Sequence, residues 1–302
     1  VLLALAGLGL SVSAWLTRLR TRRGGGALAG GRASRPSRMA LGAARGPVAA
    51  LAWGFLMAAV ALPWVALLLS TLAPVAGQFS PSGWTGRNLV RVLGMPDFRE
   101  GLTNSLLLTL LTASAVTLAG FTLAFLAVRR NSRAARAVIT VLGVPFSAPG
   151  TTLALVLLVG GTALAHLGVP VDGPMFLMAA AYALKYSAVA ARTLSNGFAQ
   201  VHPSMEEAAR VSGARTVRLL ATIWVPLLKT TLGAAWLLCA LPMLTELTMS
   251  VLLTGPGGAT LGTLLFQLQE YADQPSAAAL AWILLTVALA VGFVTRQREA
   301  ES

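Results

Sequence analysis

Six long apolar runs dominate the sequence and limit what it can fold into. A helix that crosses a bilayer needs about 20 mostly apolar residues. Runs of this kind occur near residues 47–73, 102–128, 137–165, 174–191, 228–253 and 276–294. With 56% hydrophobic and 11% charged residues, the chain has more apolar side chains than a soluble domain of its length normally carries. The pattern predicts an all-α, polytopic membrane helix bundle with about six complete spanning helices.

A seventh apolar run, residues 1–17, is shorter than the others. It begins at Val1 and lacks the positively charged start and the small-residue cleavage site of a signal peptide. We therefore expect residues 1–17 to be a partial or first spanning helix, left by a cut through a longer membrane protein. Residues 18–46 are rich in Gly, Arg, Ala and Ser and are predicted to form a basic, flexible cytoplasmic linker. A basic patch for lipid headgroups or nucleic acid is the alternative for this linker.

Basic side chains are distributed very unevenly among the connections between the runs. Alternate connections and the C-terminal tail contain 18 of them: Arg18, Arg20, Arg22, Arg23, Arg32, Arg35, Arg38, Arg45, Arg129, Arg130, Arg133, Arg136, Arg192, Arg210, Arg215, Arg218, Arg296 and Arg298. The remaining connections, near 74–101, 166–173 and 254–275, contain only Arg87, Arg91 and Arg99. Because basic residues concentrate in cytoplasmic connections, the tail 295–302 and the C-terminus are predicted to be cytoplasmic. The net charge of +13 is thus a topology signal and predicts no nucleic-acid partner.

One polar segment between two apolar runs has an unusual order of residues. Ser204, three residues before Glu207, predicts a capping box that begins a short helix. Ala208 and Ala209 leave a low ridge that another protein can approach, and Gly213 permits the turn that ends the helix. A membrane-surface connector whose Glu207 only caps the helix would require neither the alanine pair nor the glycine.

The spacing of this segment resembles the cytoplasmic coupling loop of ABC importer permeases of the binding-protein-dependent, type I family. That family's pattern is Glu-Ala-Ala, three residues, Gly, nine residues, Ile, one residue, Leu-Pro, and Val225 replaces the leucine here. The residues that the resemblance assigns to ATPase coupling are Ser204, Glu207, Ala208, Ala209, Gly213, Ile223 and Pro226. It implies that the loop docks on a cytoplasmic ABC ATPase dimer, which binds ATP and Mg, and that its movement drives alternating access.

Three further segments resemble ferric-iron-type permeases: Ala190–Leu194, Glu246–Ser250 and Leu268–Tyr271. The resemblance covers about residues 100–294, the predicted permease core. Ferric-iron-type permeases are often two fused halves, which would make this chain a C-terminal half and residues 1–46 the end of the first half and its joint. Because the chain lacks a coupling loop for that first half, a second permease half or a homodimer partner is expected.

Four polar residues within the apolar runs are candidates for the transport pathway. Glu246 lies inside run 228–253, where a charge at mid-bilayer costs about 2.5–3.5 kcal/mol on insertion scales. Lys185, flanked by Tyr182 and Tyr186, is its expected partner. These residues could form a structural ion pair or could line a polar route for the solute.

Two interruptions of the apolar pattern predict local structure. Pro145, Pro149 and Gly150 interrupt run 137–165 and predict a kinked helix facing the bundle interior. Leu261, Leu264, Leu265 and Leu268 follow helical spacing and predict a short amphipathic helix at the outer surface or dipping into the translocation mouth.

Several kinds of site are not indicated by the sequence. It contains no phosphate-binding Gly-x-x-x-x-Gly-Lys-Ser/Thr loop, no nucleophile elbow and no His-Glu-x-x-His pair. His166 and His202 are not spaced with acidic or cysteine partners as metal ligands would be. The single cysteine, Cys239, lies inside an apolar run and is expected to be a packing residue. No catalytic or metal site is therefore predicted, and ATP hydrolysis is assigned to a separate chain.

Together these features predict a multi-pass permease subunit of the bacterial inner membrane. A periplasmic or lipoprotein solute-binding protein is the expected outer partner. The resemblance suggests ferric iron as substrate, with polyamine, phosphonate, thiamine or sulfate as alternatives. An ion-coupled secondary transporter that uses Glu246 as its ion site is a further alternative.

Overall fold

The computed structural model describes residues 44–301 except 79, 81–82, 169–172, 203, 212–215 and 272. The described chain divides into two units, with the boundary between Ala66 and Leu67. The predictions for residues 1–17 and for all but the end of the 18–46 linker lie outside the described residues.

Helices account for the regular structure of the described residues, and no strand occurs among them. In chain order they are α1 (Arg45–Leu72), α2 (Arg87–Gly94), α3 (Pro96–Val128), α4 (Arg133–Val141), α5 (Gly143–Ser147), α6 (Gly150–His166), α7 (Pro174–Gln200), α8 (Ser204–Val211), α9 (Thr216–Leu219), a π-helical turn (Leu220–Trp224), α10 (Val225–Leu227), α11 (Lys229–Leu244), α12 (Thr248–Leu253), α13 (Leu261–Glu270) and α14 (Gln274–Glu301).

The described helices are long and apolar enough for a polytopic membrane protein. Four unbroken helices are long and apolar enough to cross a membrane: α1, α3, α7 and residues Gln274–Gly292 of α14. Two further candidates are bent pairs, one made of Arg133–Ser147 and Gly150–His166 and the other of Leu220–Leu227 and Lys229–Leu244. Counting each pair as one span gives six, which confirms the predicted all-α bundle.

Two of the apolar runs are more broken than the sequence suggests. The run near 137–165 is not one kinked helix, because α5 and α6 meet at a 108° bend. Pro149 has an extended backbone at this point, with ψ 139°, and α6 begins at the next residue. Run 228–253 is likewise divided, because residues 245–247 separate α11 from α12. The residues on both sides of each break are mostly apolar, so composition alone does not show where one helix ends and the next begins.

Helices α3 and α7 form the centre of the second unit. They approach most closely at Gly120, where a Cβ would lie 2.9 Å from the Cβ of Ala190 and 3.0 Å from the amide nitrogen of Ala191. Small residues at such a contact let helix backbones pack directly in a membrane. The close approach thereby aligns the polar side chains of α7 with the helices packed beside it.

Helix α13 confirms the predicted amphipathic segment. Leu261, Leu264 and Leu268 are buried, whereas Gln267 and Gln269 are exposed. Thr260 and Thr263 form the capping box that begins it.

The N-terminal part of α3 fastens the segment that leads into α13. Ser105 Oγ accepts a hydrogen bond from the Leu261 amide at 2.9 Å, and Asn104 Nδ2 donates to the Ala259 carbonyl at 2.8 Å. These contacts fix α13 beside the break between α11 and α12.

Candidate functional site

The predicted pathway residues meet at the break between α11 and α12. Glu246 lies in the break, and Tyr182, Lys185 and Tyr186 project from successive turns of α7. Lys185 Nζ lies 3.8 Å from Glu246 Oε2, and the two side chains are 17% and 10% exposed. The structure thus brings together the ion pair that the sequence suggested.

Hydrogen bonds surround the Glu246 carboxylate. Tyr186 Oη donates to Oε2 at 3.0 Å, and Thr248 Oγ1 donates to Oε1 at 2.5 Å. The Met249 amide also donates to Oε1, at 3.4 Å, from the first turn of α12. The carboxylate thus accepts from two side-chain hydroxyls and one backbone amide.

A second polar contact extends the cluster along α7. The hydroxyl oxygens of Tyr182 and Ser250 lie 2.6 Å apart, and the Ser250 hydroxyl also donates to the Glu246 carbonyl at 2.8 Å. Sequence reasoning did not include Thr248 and Ser250, although both lie within the Glu246–Ser250 segment. Their positions two and four residues after Glu246 are the signal that could have indicated them.

Two glycines let other helices approach this cluster. A methyl group at Gly150, the first residue of α6, would collide with Thr248 Oγ1 and lie 3.2 Å from Lys185 Nζ. A methyl group at Gly262 of α13 would collide with the Glu246 carbonyl oxygen. The cluster is therefore bordered by α6, α7, α12 and α13, with Thr248 exposed at its edge. Chemically it is a carboxylate with several fixed donors and one flexible ammonium partner.

The predicted coupling segment forms a short helix with a break on each side. Helix α8 begins at Ser204, as expected. His202 Nδ1 accepts the Ser204 amide proton at 3.2 Å and lies 2.8 Å from Ser204 Oγ. The side chains of Glu207, Ala208 and Ala209, and the whole of Gly213, lie outside the described part of the structure. The capping box and the turn at Gly213 therefore stay predictions.

The chain returns to the bundle through the π-helical turn at Leu220–Trp224. Trp224 is fully buried and packs on Phe198, with ring centroids 5.1 Å apart. Ile223 packs partly buried beside the same cluster, whereas Pro226 is exposed. A 66° bend separates this segment from α11. Trp224 occupies the unspecified position of the family pattern, which is why pattern matching alone did not select it.

Arg129, which follows the last residue of α3, lies at the base of the coupling segment. Its Nη2 donates to the carbonyls of Phe198 and Val201, each at 2.6 Å, and its guanidinium carbon lies 4.4 Å from the centroid of the Trp224 ring. Burial lowers the pKa of the Arg129 guanidinium, and the Glu206 carboxylate on α8 acts in the opposite direction. From the sequence alone, Arg129 is only one of several basic residues that indicate topology.

The described residues contain no group of three or more His, Cys, Asp or Glu side chains placed to hold a metal ion. Cys239 is buried and unpaired with another cysteine, as a packing residue would be. Its Sγ lies 3.7 Å from the Tyr186 carbonyl oxygen.

Comparison with known proteins places this architecture in a family. Residues 116–297, more than half of the chain, match the model of the binding-protein-dependent transport system inner membrane component. The chain belongs to this family. It is therefore a multi-pass inner-membrane permease subunit of an ABC importer, as its coupling-loop pattern predicted.

Individual relatives agree with this assignment. Over 218 residues the permease is 28% identical to the putrescine transport system permease protein PotI of Escherichia coli (strain K12), covering 70% of this chain and 76% of that protein. Its fold is similar to a bacterial ABC transporter involved in the import of the acidic polysaccharide alginate, with TM-score 0.62, 18% identity and coverage of 87% of this chain and 99% of that one. The inward-facing MetNI methionine ABC transporter gives TM-score 0.54 and 15% identity, covering 70% of this chain and 94% of that one.

Proposed function

We propose that this permease imports small organic polycations of the polyamine class, the alternative that the sequence analysis placed beside ferric iron. The observation that carries the proposal is the Glu246 carboxylate, which already holds an ammonium group, that of Lys185, in apolar surroundings. The similarity to PotI supports the same substrate class. A carboxylate at this position is unfavourable for phosphonate and sulfate, because like charges repel in a region of low dielectric constant.

In this proposal Lys185 occupies the position beside Glu246 that a substrate ammonium group would take. An incoming ammonium group takes the place of Lys185 Nζ beside Glu246 Oε2, and the Lys185 side chain turns away from the carboxylate. The Nζ–Oε2 distance of 3.8 Å is longer than the roughly 2.7–2.9 Å of a charge-assisted hydrogen bond, which favours such an exchange. The hydroxyl oxygens of Tyr186, Thr248 and Ser250 offer further acceptors along α7 and α12.

The energy comes from a cytoplasmic ABC ATPase dimer that binds ATP and Mg and docks on the coupling loop, residues 204–226. The solute arrives with a binding protein on the opposite face, and a second permease half or a second copy of this chain completes the pathway. The asymmetry of basic residues supports an orientation with the coupling loop and the C-terminus in the cytoplasm.

Uptake of radiolabelled putrescine tests the substrate. Cells that produce the permease with its ATPase and binding protein should accumulate putrescine, and an excess of unlabelled polyamine should compete while ferric citrate should not. Glu246→Gln should reduce uptake by at least about tenfold, because an uncompensated ammonium then remains in the cluster. Glu270→Gln, which changes an exposed carboxylate on α13, is the matched control. Accumulation of iron without putrescine uptake would refute the proposal.

The coupling role is tested separately. Glu207→Ala and Gly213→Val should abolish both uptake and association with the ATPase while leaving membrane insertion intact. Glu100→Gln, which changes an exposed carboxylate near the N-terminal end of α3, should change neither uptake nor association with the ATPase. Uptake that survives ATP depletion but collapses with the proton gradient would instead support a secondary transporter.

A further inference from the structure

Arg129 contacts both sides of the coupling segment. The Val201 carbonyl, which accepts from its Nη2, lies three residues before the start of α8. Trp224, whose ring the guanidinium faces, is the last residue of the π-helical turn through which the chain returns. Because the segment leaves and re-enters the bundle at these two points, a single side chain holds both of its ends.

The same side chain is anchored to the transmembrane core. Arg129 directly follows α3, and its Nη2 also binds the Phe198 carbonyl near the end of α7. Phe198 in turn packs against Phe121 of α3 and against Trp224, with centroid distances of 5.1 Å in both cases. Arg129 therefore links three parts of the molecule: the end of α3, the end of α7 and the base of the coupling segment.

The contacts require an arginine. A guanidinium can donate in its plane to two carbonyls and simultaneously place its face on an aromatic ring, which the compact ammonium of lysine does not reproduce. Hydrogen bonds from a charged donor are about twice as strong as neutral ones. The partners are backbone carbonyls at helix ends, so they cannot rotate away as side chains can.

We propose that Arg129 is the positioning residue that transmits movement of the coupling helix α8 to helices α3 and α7. Without it, α8 moves with the ATPase while the transmembrane helices do not follow, and ATP is hydrolysed without transport. The inference rests on the proposed coupling role of residues 204–226. The rule that basic residues concentrate in cytoplasmic connections treats all arginines of this connection alike. It therefore does not give this role to Arg129.

The test is the ratio of putrescine imported to ATP hydrolysed by the complete importer in proteoliposomes. Arg129→Gln should lower this ratio by about tenfold while ATP hydrolysis and ATPase association persist. Arg129→Lys, which keeps the charge but not the planar fork, should lower it by about threefold. Arg133→Gln, an exposed arginine in the same connection, should leave the ratio unchanged.

A merely structural clamp gives a different result. If Arg129→Gln and Arg129→Lys reduce hydrolysis and uptake in proportion, or change neither, the inference is wrong. If Arg129→Gln does not fold, the ratio in Arg129→Lys decides. Failure of the substrate proposal is distinguishable, because it shows in the wild-type importer as ATP hydrolysis without putrescine uptake, whereas failure of this inference shows only in the variant-to-wild-type ratio.

Discussion

Arg129 and Glu246 are largely buried charged groups at two helix breaks, and they are held in opposite ways. Arg129 lies beside the turn that leads into α11, and Glu246 follows the other end of α11, a helix about 24 Å long at 1.5 Å per residue. Arg129 is bound by backbone carbonyls and an aromatic ring. Glu246 is bound mainly by side chains: Lys185, Tyr186 and Thr248.

This difference separates a fixed joint, formed by Arg129 with Phe198, Val201 and Trp224, from an exchangeable site, formed by Glu246 with Lys185, Tyr186 and Thr248. Carbonyls at helix ends keep their positions unless the helices themselves move, so the Arg129 cluster can transmit force. Side chains change rotamer without moving a helix, so the Glu246 cluster can release one partner and accept another. Substitutions at the first cluster should therefore act on stability and coupling, and those at the second should act on substrate handling.

The largest expected effect is the loss of the aromatic centre of the fixed joint. Trp224→Ala should lower the free energy of unfolding by about 3–5 kcal/mol, because a large buried side chain leaves a cavity. The measurement is the thermal midpoint of the purified protein in detergent. Trp84→Ala, which removes an exposed tryptophan from a connection, is the control. Equal midpoints for the two variants would show that the joint is not a rigid packed unit.

A smaller effect is expected where α6 meets the exchangeable site. Gly150→Ala should cost about 1–3 kcal/mol by overpacking and should reduce putrescine uptake, because the added methyl displaces Thr248 and approaches Lys185. Gly160→Ala lies on the same helix with nothing within 4 Å of the new methyl and should be neutral. Uptake and stability are measured in parallel for Gly150→Ala and Gly160→Ala. If both variants behave alike, α6 does not constrain the cluster.

The smallest effect is expected for one hydrogen bond of the carboxylate. Thr248→Val should lower stability by only about 0.5–1.5 kcal/mol, the net contribution of one typical hydrogen bond, yet it should alter the concentration of putrescine that gives half-maximal uptake. Thr245→Val, which removes an exposed hydroxyl that donates to the Leu241 carbonyl in the last turn of α11, serves as the control. A large loss of stability without a change in the half-maximal putrescine concentration would show that Glu246 forms a fixed structural contact and not an exchangeable site.

Features with a regular local pattern could be predicted from the sequence. Leucines at helical spacing indicated α13, and the order of residues from Ser204 to Pro226 indicated a short helix at Ser204 and the family to which the chain belongs. The pairing of Lys185 with Glu246 could also be predicted, because two opposite charges in apolar runs require compensation. The assignments of Glu207 and Gly213 to ATPase contact stay predictions.

Features that depend on contacts between distant residues could not be predicted in the same way. Arg129 is one of four arginines in a single connection, and the charge rule treats all four alike. Only the proximity of residues 129, 198, 201 and 224 in the fold distinguishes it. Pro149 and Gly150 indicated a kink before α6, but its 108° size could not be predicted, because the position of α6 depends on its contact with Thr248 and Lys185.

The π-helical turn at Leu220–Trp224 makes the coupling segment tolerant of a change in chain length at one place. A π-turn contains one residue more than the α-helical turn it replaces. Deletion of the exposed Ala221 would convert it to an ordinary turn and leave Pro226 and α11 in register. The same deletion inside α11 would rotate every later residue of that helix by about 100° and turn Cys239 out of the core. A one-residue deletion should therefore preserve the fold at Ala221 and disrupt it inside α11.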